Sequence, residues 1–450
     1  MRLSSRPGDD QDCSALKRAM PVNAGAEWTS LDGDLHELRT AVGALTAEDW
    51  RACLAGGGPI ARLEAALASR TGARYALAVA SGTVALELAL RAWGVDLGDE
   101  VILSTYDWGA TAGAVLRLGA IPVFADIDPN TYTMDPASVA ALVTRRTRAI
   151  VVTHLFGNPA DMASLAALAR RPGLVLIEDA SHALGASYDG RPVGSLGRVA
   201  CASLGWGKVV SGGEGGVLLT DDDAVYENAA FFSQHPLGQL SRTGRVGPLG
   251  ELSGNGRIHP VAALLALRHL STLDQRLGER RSNCERLSAG LLGVPGVRPP
   301  MAATGAVPAY HRYSPAFVPD TVAGVTRQEY VSALLAEGVP VTTGFIARPL
   351  HLNEVFRRRS YGRGGWPWRQ AGSKRLYRRG DCPAAEARCL AVGLGVEGRW
   401  EGDGTSRIDA LLLAWRKVTS NLTSRAAIPP RGQKSAVRLR RGCKPAQTAQ

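Results

Sequence analysis

From Tyr75 onward, short apolar runs alternate with stretches of helical period, and this alternation argues for an α/β fold built on a largely parallel sheet with helices on both faces. The strand-like runs are Tyr75–Val79, Val101–Leu103, Pro122–Phe124, Ala149–Val152, Leu174–Ile177, Ala200–Leu204 and Gly216–Leu219. Helical patterns fall between many of them, at Val84–Trp93, Ala110–Leu118, Pro136–Leu142 and Met162–Arg170. Pro59 is placed to open an earlier helix, and a long helical stretch runs from about Pro260 to Leu292. In such sheets the chemistry gathers at the carboxyl ends of the strands.

Length and charge set the outer organisation. With 450 residues, two domains are expected: a large one over 25–270 and a smaller α+β one over 271–421 that ends in an amphipathic helix around Ile408–Trp415. The polar segment 1–24 and the Pro-, Ser- and Arg-rich tail 422–450 read as disordered. The net charge of +11 would suggest a polyanion partner if it were spread over the chain. It is not. Nine Lys/Arg and no acid lie between Arg357 and Arg379, and seven more lie between Leu422 and Gln450; removing these sixteen charges leaves the rest at −5. The tail carries no interleaved aromatics and nothing resembles a helix-turn-helix, so a nucleic-acid partner is not expected.

No apolar run approaches the ~18 residues of a membrane span, and the first ten residues contain no apolar signal core. The seven cysteines are scattered, and the closest pair, Cys382 and Cys389, has no zinc-ligand partners at suitable spacing. Reduced thiols in a cytoplasm and no metal site are the expectation.

Three short motifs lie where strands give way to helices or loops. After the first run comes Ala80-Ser81-Gly82-Thr83, a small turn at a helix N-terminus that suits a phosphate. A plain helix cap by Ser81 or Thr83 explains it as well. Leu174–Ile177 runs into Glu178-Asp179-Ala180-Ser181-His182. There Asp179 is either a turn residue or a carboxylate set against a pyridinium nitrogen. Lys208 follows Ala200–Leu204 among small residues, in Gly205-Trp206-Gly207-Lys208-Val209. It is either a surface lysine or an amine held for covalent chemistry.

The order of these motifs is that of fold type I pyridoxal 5′-phosphate (PLP) enzymes, and the sequence resembles one family of them, the DegT/StrS sugar and aminocyclitol aminotransferases. The resemblance covers roughly Gly56 to Val418. It rests on Ser81-Gly82-Thr83, Gly98-Asp99-Glu100-Val101-Ile102, Gly119-Ala120-Ile121-Pro122-Val123-Phe124, the run His154 to Met162, Glu178-Asp179-Ala180, and Ser203 with Lys208 and Gly213-Glu214-Gly215-Gly216. It implies that 25–270 binds PLP, that Lys208 carries the cofactor covalently and moves a proton, and that Asp179 pairs with the ring nitrogen. It further implies that Gly82, Thr83 and Ser203, with Ser81 in the same turn, hold the phosphate. Trp108 would stack on the ring, a core Trp being the alternative, and Asn255 would reach the phosphate of a neighbouring subunit in a homodimer.

Departures from the family pattern are also informative. His182 stands where the family often has Gln contacting the phenolic oxygen, as it does in members resembling 3-amino-5-hydroxybenzoate synthase; a structural His is the alternative. Leu184 stands where the family often has His, and Gly256 replaces a usual aromatic. Some relatives replace the lysine with His and dehydrate sugars, but Lys208 is present here. The implied reaction moves an amino group from glutamate or glutamine to a ketone on a nucleotide-linked sugar or a cyclitol. The alternatives are an aminoshikimate-type carbocycle and a non-catalytic regulator. The resemblance also places the 357–379 loop near the active-site mouth. Its cations would there meet a diphosphate, and one of Tyr361, Trp366, Trp368 and Tyr377 a nucleobase; the alternative is a solvated loop.

Overall fold

The computed structural model describes residues 39–426 apart from 41, 44, 323, 399 and 403. The segment 1–24 and all but the first five residues of the tail 422–450 lie outside the described residues. Seven strands form the main sheet: β1 (Tyr75–Val79), β2 (Glu100–Ser104), β3 (Ile121–Ala125), β4 (Thr147–Thr153), β5 (Val175–Asp179), β6 (Val199–Ser203) and β7 (Gly216–Thr220). Their spatial order is β1-β7-β6-β5-β4-β2-β3. All neighbouring pairs are parallel except those made by β7, which runs antiparallel to both β1 and β6. The reversal has a simple cause: no helix joins β6 to β7, only the loop that carries Lys208.

The helices of this part are α1 (Ala47–Leu54), α2 (Pro59–Thr71), α3 (Gly82–Ala92), α4 (Gly109–Arg117), α5 (Pro136–Leu142), α6 (Met162–Leu168), α7 (Asp223–Ser233) and α8 (Pro236–Thr243). Pro59 occupies the first turn of α2, and Asp135, Asp161 and Asp222 cap α5, α6 and α7 with their side chains. Strand residues such as Val101, Ile102, Leu103, Ile150 and Val151 are fully buried, as a sheet covered on both faces requires.

The expected single helix over 260–292 is two, α9 (Pro260–Ser271) and α10 (Leu273–Leu291), broken at Thr272. Beyond them α10 packs with α11 (Arg327–Ala336) and the last helix around a separate core that includes Cys284, Leu287, Leu291, Tyr330 and Trp415. Between these elements lie two short helices, α12 (Glu354–Arg357) and α13 (Pro383–Ala387), and the last helix, α14, spans Thr405–Ala426, past the point at which the tail was expected to begin. No helix among the described residues is long and apolar enough to cross a membrane.

The Trp366–Tyr377 part of the basic loop does not go where the resemblance implied. The segment around Trp366–Tyr377 lies along edge strand β3 and at the amino ends of β2 and β3, the end of the sheet opposite Asp179 and Lys208. Tyr377 donates to Pro122 O at 2.7 Å, Trp368 Nε1 donates to Tyr377 Oη at 3.0 Å, and Arg375 pairs with Glu100, the first residue of β2. Trp368 is 1% exposed and Tyr377 7%, so neither ring is free to stack on a base. An edge strand with open backbone groups needs a cover, and the loop supplies it. A proline, Pro122, is tolerated in β3 for the same reason: it is an edge strand.

Candidate active site

The strands that run parallel all end on one side, where their carboxyl-end residues meet. At β1, the turn Ala80-Ser81-Gly82 leads into α3, and Ser81 Oγ accepts from Val84 N at 3.2 Å. The capping reading therefore holds for Ser81. It leaves the Gly82 and Thr83 N–H groups, which have no acceptor within the helix. Gly82 is fixed by space: a Cβ there would stand 2.8 Å from Ser203 Cβ. A Cβ on Gly216 would overlap the Ser81 backbone in the same way. Thus the ends of β6 and β7 close directly onto the turn, and Ser203 lies beside Gly82. This narrow, N–H-lined cradle at a helix N-terminus fits the phosphate of PLP.

Asp179, the last residue of β5, is 6% exposed and accepts from Ser181 N at 2.9 Å. Ser181 Oγ in turn accepts from Ser203 N at 3.0 Å, which ties the ends of β5 and β6 together. His182 is buried, its ring stacked near-parallel to Phe156 and to His311, the latter at 4.3 Å. Burial, with the charges of Lys208 and Arg312, holds its pKa well below the usual range, so it is neutral. Because Phe156 N donates to His182 Nδ1 at 3.3 Å, the proton sits on Nε2, which is left as a donor.

Lys208 sits in the β6–β7 loop. Gly205 N donates to Ser203 Oγ at 3.1 Å and Lys208 N to Gly205 O at 3.2 Å, with Gly207 at φ +75° completing the turn. Burial lowers the Lys208 pKa, Asp179 and Asp107 oppose the shift, and Arg312 adds to it. The amine is thereby brought nearer to its neutral, nucleophilic form. Trp108 is 58% exposed, which excludes the core reading, and stacks on Phe345 with centroids 5.7 Å apart. Asn255 is exposed, and its neighbour Gly256 accepts from Ala80 N at 2.8 Å.

The sequence reading missed Asp107. It lies just past β2, buried, and accepts from Thr153 Oγ1 at 2.6 Å, Thr111 Oγ1 at 3.0 Å and Trp108 N at 2.7 Å. Thr153 is in register with Asp179 on the neighbouring strand, so β4 brings the two carboxylates to one locality. Burial first, and the Asp179 charge second, push the Asp107 carboxyl from 3.8 up to about 7. Because the folded pKa is raised, the stability tied to this group is complete below pH 3.8 and is lost as pH rises through about 7. In the cofactor-free protein, Asp107→Asn should gain stability over wild type progressively between pH 4 and 7, by up to about 4 kcal/mol, and no further above that. Denaturant melts at a series of pH values test this; a gain that is the same at every pH would refute it.

A lysine on a loop facing a strand-end aspartate, with a phosphate cradle at a third strand, defines a fold type I PLP enzyme. The chain belongs to the DegT/DnrJ/EryC1/StrS aminotransferase family, whose model matches residues 36–376. It is similar to a putative L-glutamine:3-amino-2,3-dideoxy-scyllo-inosose aminotransferase of Streptoalloteichus tenebrarius, with 38% identity over 292 residues, 64% of this chain and 69% of the relative. It is also similar to the L-glutamine:2-deoxy-scyllo-inosose aminotransferase of Streptomyces fradiae, 37% identical over 308 residues, 66% of this chain and 71% of the relative. Among solved structures, 3-amino-5-hydroxybenzoic acid synthase superposes with a TM-score of 0.68 at 28% identity, covering 85% of this chain and 98% of that one. The chain is a PLP-dependent aminotransferase.

Proposed function

We propose that this aminotransferase moves an amino group from L-glutamine or L-glutamate to the keto group of an uncharged cyclitol of the inosose type. The observation that carries this reading is the location of the cations. The Trp366–Tyr377 part of the loop that would have met a diphosphate lies against β2 and β3 instead, with Arg375 turned to Glu100. Among the described residues, those named around Lys208 and Asp179 are the rings Trp108, Phe345, Phe156, His182 and His311, the Asp107 carboxyl and one guanidinium, Arg312. The substrate named for the Streptomyces fradiae relative, 2-deoxy-scyllo-inosose, agrees with it, and that named for the Streptoalloteichus tenebrarius relative is an inosose that carries an amine.

PLP, when bound, supplies a ring that takes up the electron pair left when the carbon next to the amino nitrogen loses its proton. The remaining chemistry is assigned to the chain. Lys208 holds the cofactor and carries that proton. The Asp179 carboxylate would pair with the ring nitrogen and keep it protonated. The Gly82 and Thr83 N–H groups, with Ser203, would take the phosphate, and His182 Nε2–H would donate to the phenolic oxygen. Trp108 would cover the ring. The amino donor leaves as a keto acid before the ketone enters and leaves as an amine. Asn255, whose side chain has no partner among the described residues, would complete the phosphate site of a second copy in a homodimer.

A second reading has one observation in its favour, the likeness to 3-amino-5-hydroxybenzoic acid synthase over nearly all of that chain. A single panel separates the two. Enzyme aminated with L-glutamine is offered an inosose, a nucleotide-linked keto sugar and an aminoshikimate-type ketone, and products are weighed by mass spectrometry. The inosose should be converted with a kcat/KM roughly 10-fold or more above the others. Preference for the nucleotide-linked sugar or the carbocycle overturns the proposal.

A further inference from the structure

An amino-acid donor brings a carboxylate close to the buried Asp107, Asp179 and His182, and a carboxylate there needs a paired cation. Among the groups whose charge acts on Lys208, the cation is Arg312. The backbone of Arg312 is held to the turn that carries Phe156: Arg312 N donates to Phe156 O at 3.3 Å, and Ala309 N to Gly157 O at 2.8 Å. Its guanidinium lies 4.0 Å above the centre of Phe345, the ring that stacks on Trp108. Nη1 is committed, at 3.2 Å to each carboxylate oxygen of Glu397.

The other edge of the guanidinium is unused. Nε is buried and makes no hydrogen bond, and Nη2 has no partner among the described residues. Among the described residues, five arginines have a buried, unpaired Nε: Arg70, Arg242, Arg312, Arg375 and Arg388. In the other four, Nη2 is occupied, by Asp274, Glu64, Glu100 and Ser314 respectively. Arg312 alone among them has both Nε and Nη2 without a partner among the described residues, the pair of donors that takes a carboxylate bidentately. The adjacent His311 Nδ1 is likewise buried and unpaired, with its ring stacked on His182. Two consecutive residues therefore hold unused polar atoms within electrostatic reach of the same lysine.

We propose that Arg312 anchors the α-carboxylate of the amino donor through its Nε–Nη2 edge, with His311 beside it. This orients the donor amine toward Lys208. The proposal rests on the amino-acid donor of the preceding section, and it assigns donor recognition and ketone recognition to different side chains.

The test uses cofactor-loaded wild type, Arg312→Gln and Arg312→Lys. In the half-reaction with L-glutamine or L-glutamate, Arg312→Gln should raise the donor KM by roughly 10²-fold. Arg312→Lys should recover part of the loss, because it keeps the charge without the fork. The half-reaction of the aminated enzyme with the ketone should change by less than about 3-fold in both variants. A readout without turnover is the absorbance of the bound cofactor titrated with glutarate, a donor lacking its amine. Glutarate should perturb the wild-type spectrum saturably and leave the Arg312→Gln spectrum unchanged. Cofactor affinity within about 3-fold of wild type shows that the site is assembled; if Arg312→Gln does not fold, Arg312→Lys carries the comparison. An unchanged donor KM with intact glutarate binding overturns the proposal, as does an equal loss in both half-reactions. Failure of wild type to accept any amino acid sinks the functional reading instead, and is seen before any variant is made.

Discussion

Lys208→Ala is expected to abolish transamination, with a fall of at least ~10⁴-fold, while the protein still folds. The loss is large because one side chain has two tasks, holding the cofactor and carrying the proton, and no neighbour can replace it. The chain has six lysines, of which Lys208, Lys374 and Lys417 are described. Lys417 pairs with Glu337 on the far core, and Lys374 lies in the loop along β3. Folding should survive because the Lys208 side chain makes no hydrogen bond among the described residues, and burying its charge already costs stability. The check is a paired measurement of the two half-reactions and a thermal melt. Wild-type rates in the variant would remove Lys208 from the mechanism.

Asp179→Asn should lower turnover by on the order of 10²-fold or more with cofactor still bound. The substitution keeps the shape and the acceptor for Ser181 N, but it removes the charge that keeps the ring nitrogen protonated. It has a second consequence inside the protein. The Asp179 charge is one of the two causes that raise Asp107, so Asp107 should titrate at lower pH in the variant. Rates of each half-reaction, together with carboxyl titration by NMR in the cofactor-free protein, report both effects. An unchanged rate would make Asp179 an ordinary turn residue.

Much of this site was legible in the sequence because its parts sit at strand ends, and strand ends are local. β1 was placed at Tyr75–Val79 from its apolar run, and Asp179 and Lys208 follow directly from the ends of β5 and β6. Asp107 was not legible, because its importance arises from sheet order. β4 lies between β2 and β5, and only that neighbourhood lets Thr153 bridge toward Asp179. Arg312 is more distant still, on a chain segment more than a hundred residues from Asp179 in sequence, and nothing local marks a guanidinium with one free edge. The signal that was available, a cation between His311 and Tyr313 in an apolar stretch, is the same as for a surface arginine. The Trp366–Tyr377 part of the basic loop misled for a related reason. Charge counts do not show that Trp368 and Tyr377 are buried against an edge strand. The break at Thr272 carried no Pro or Gly to announce it, so α9 and α10 read as one helix.

The most direct test of the central claim is to reduce the cofactor-loaded enzyme with borohydride, digest it and locate the added pyridoxyl mass by peptide sequencing in the mass spectrometer. The account predicts a single modified lysine, Lys208, and no modification after prior incubation with L-glutamine, which empties the lysine of its cofactor. A pyridoxyl group on Lys374 or Lys417, or none at all in an enzyme that still transaminates, would contradict it.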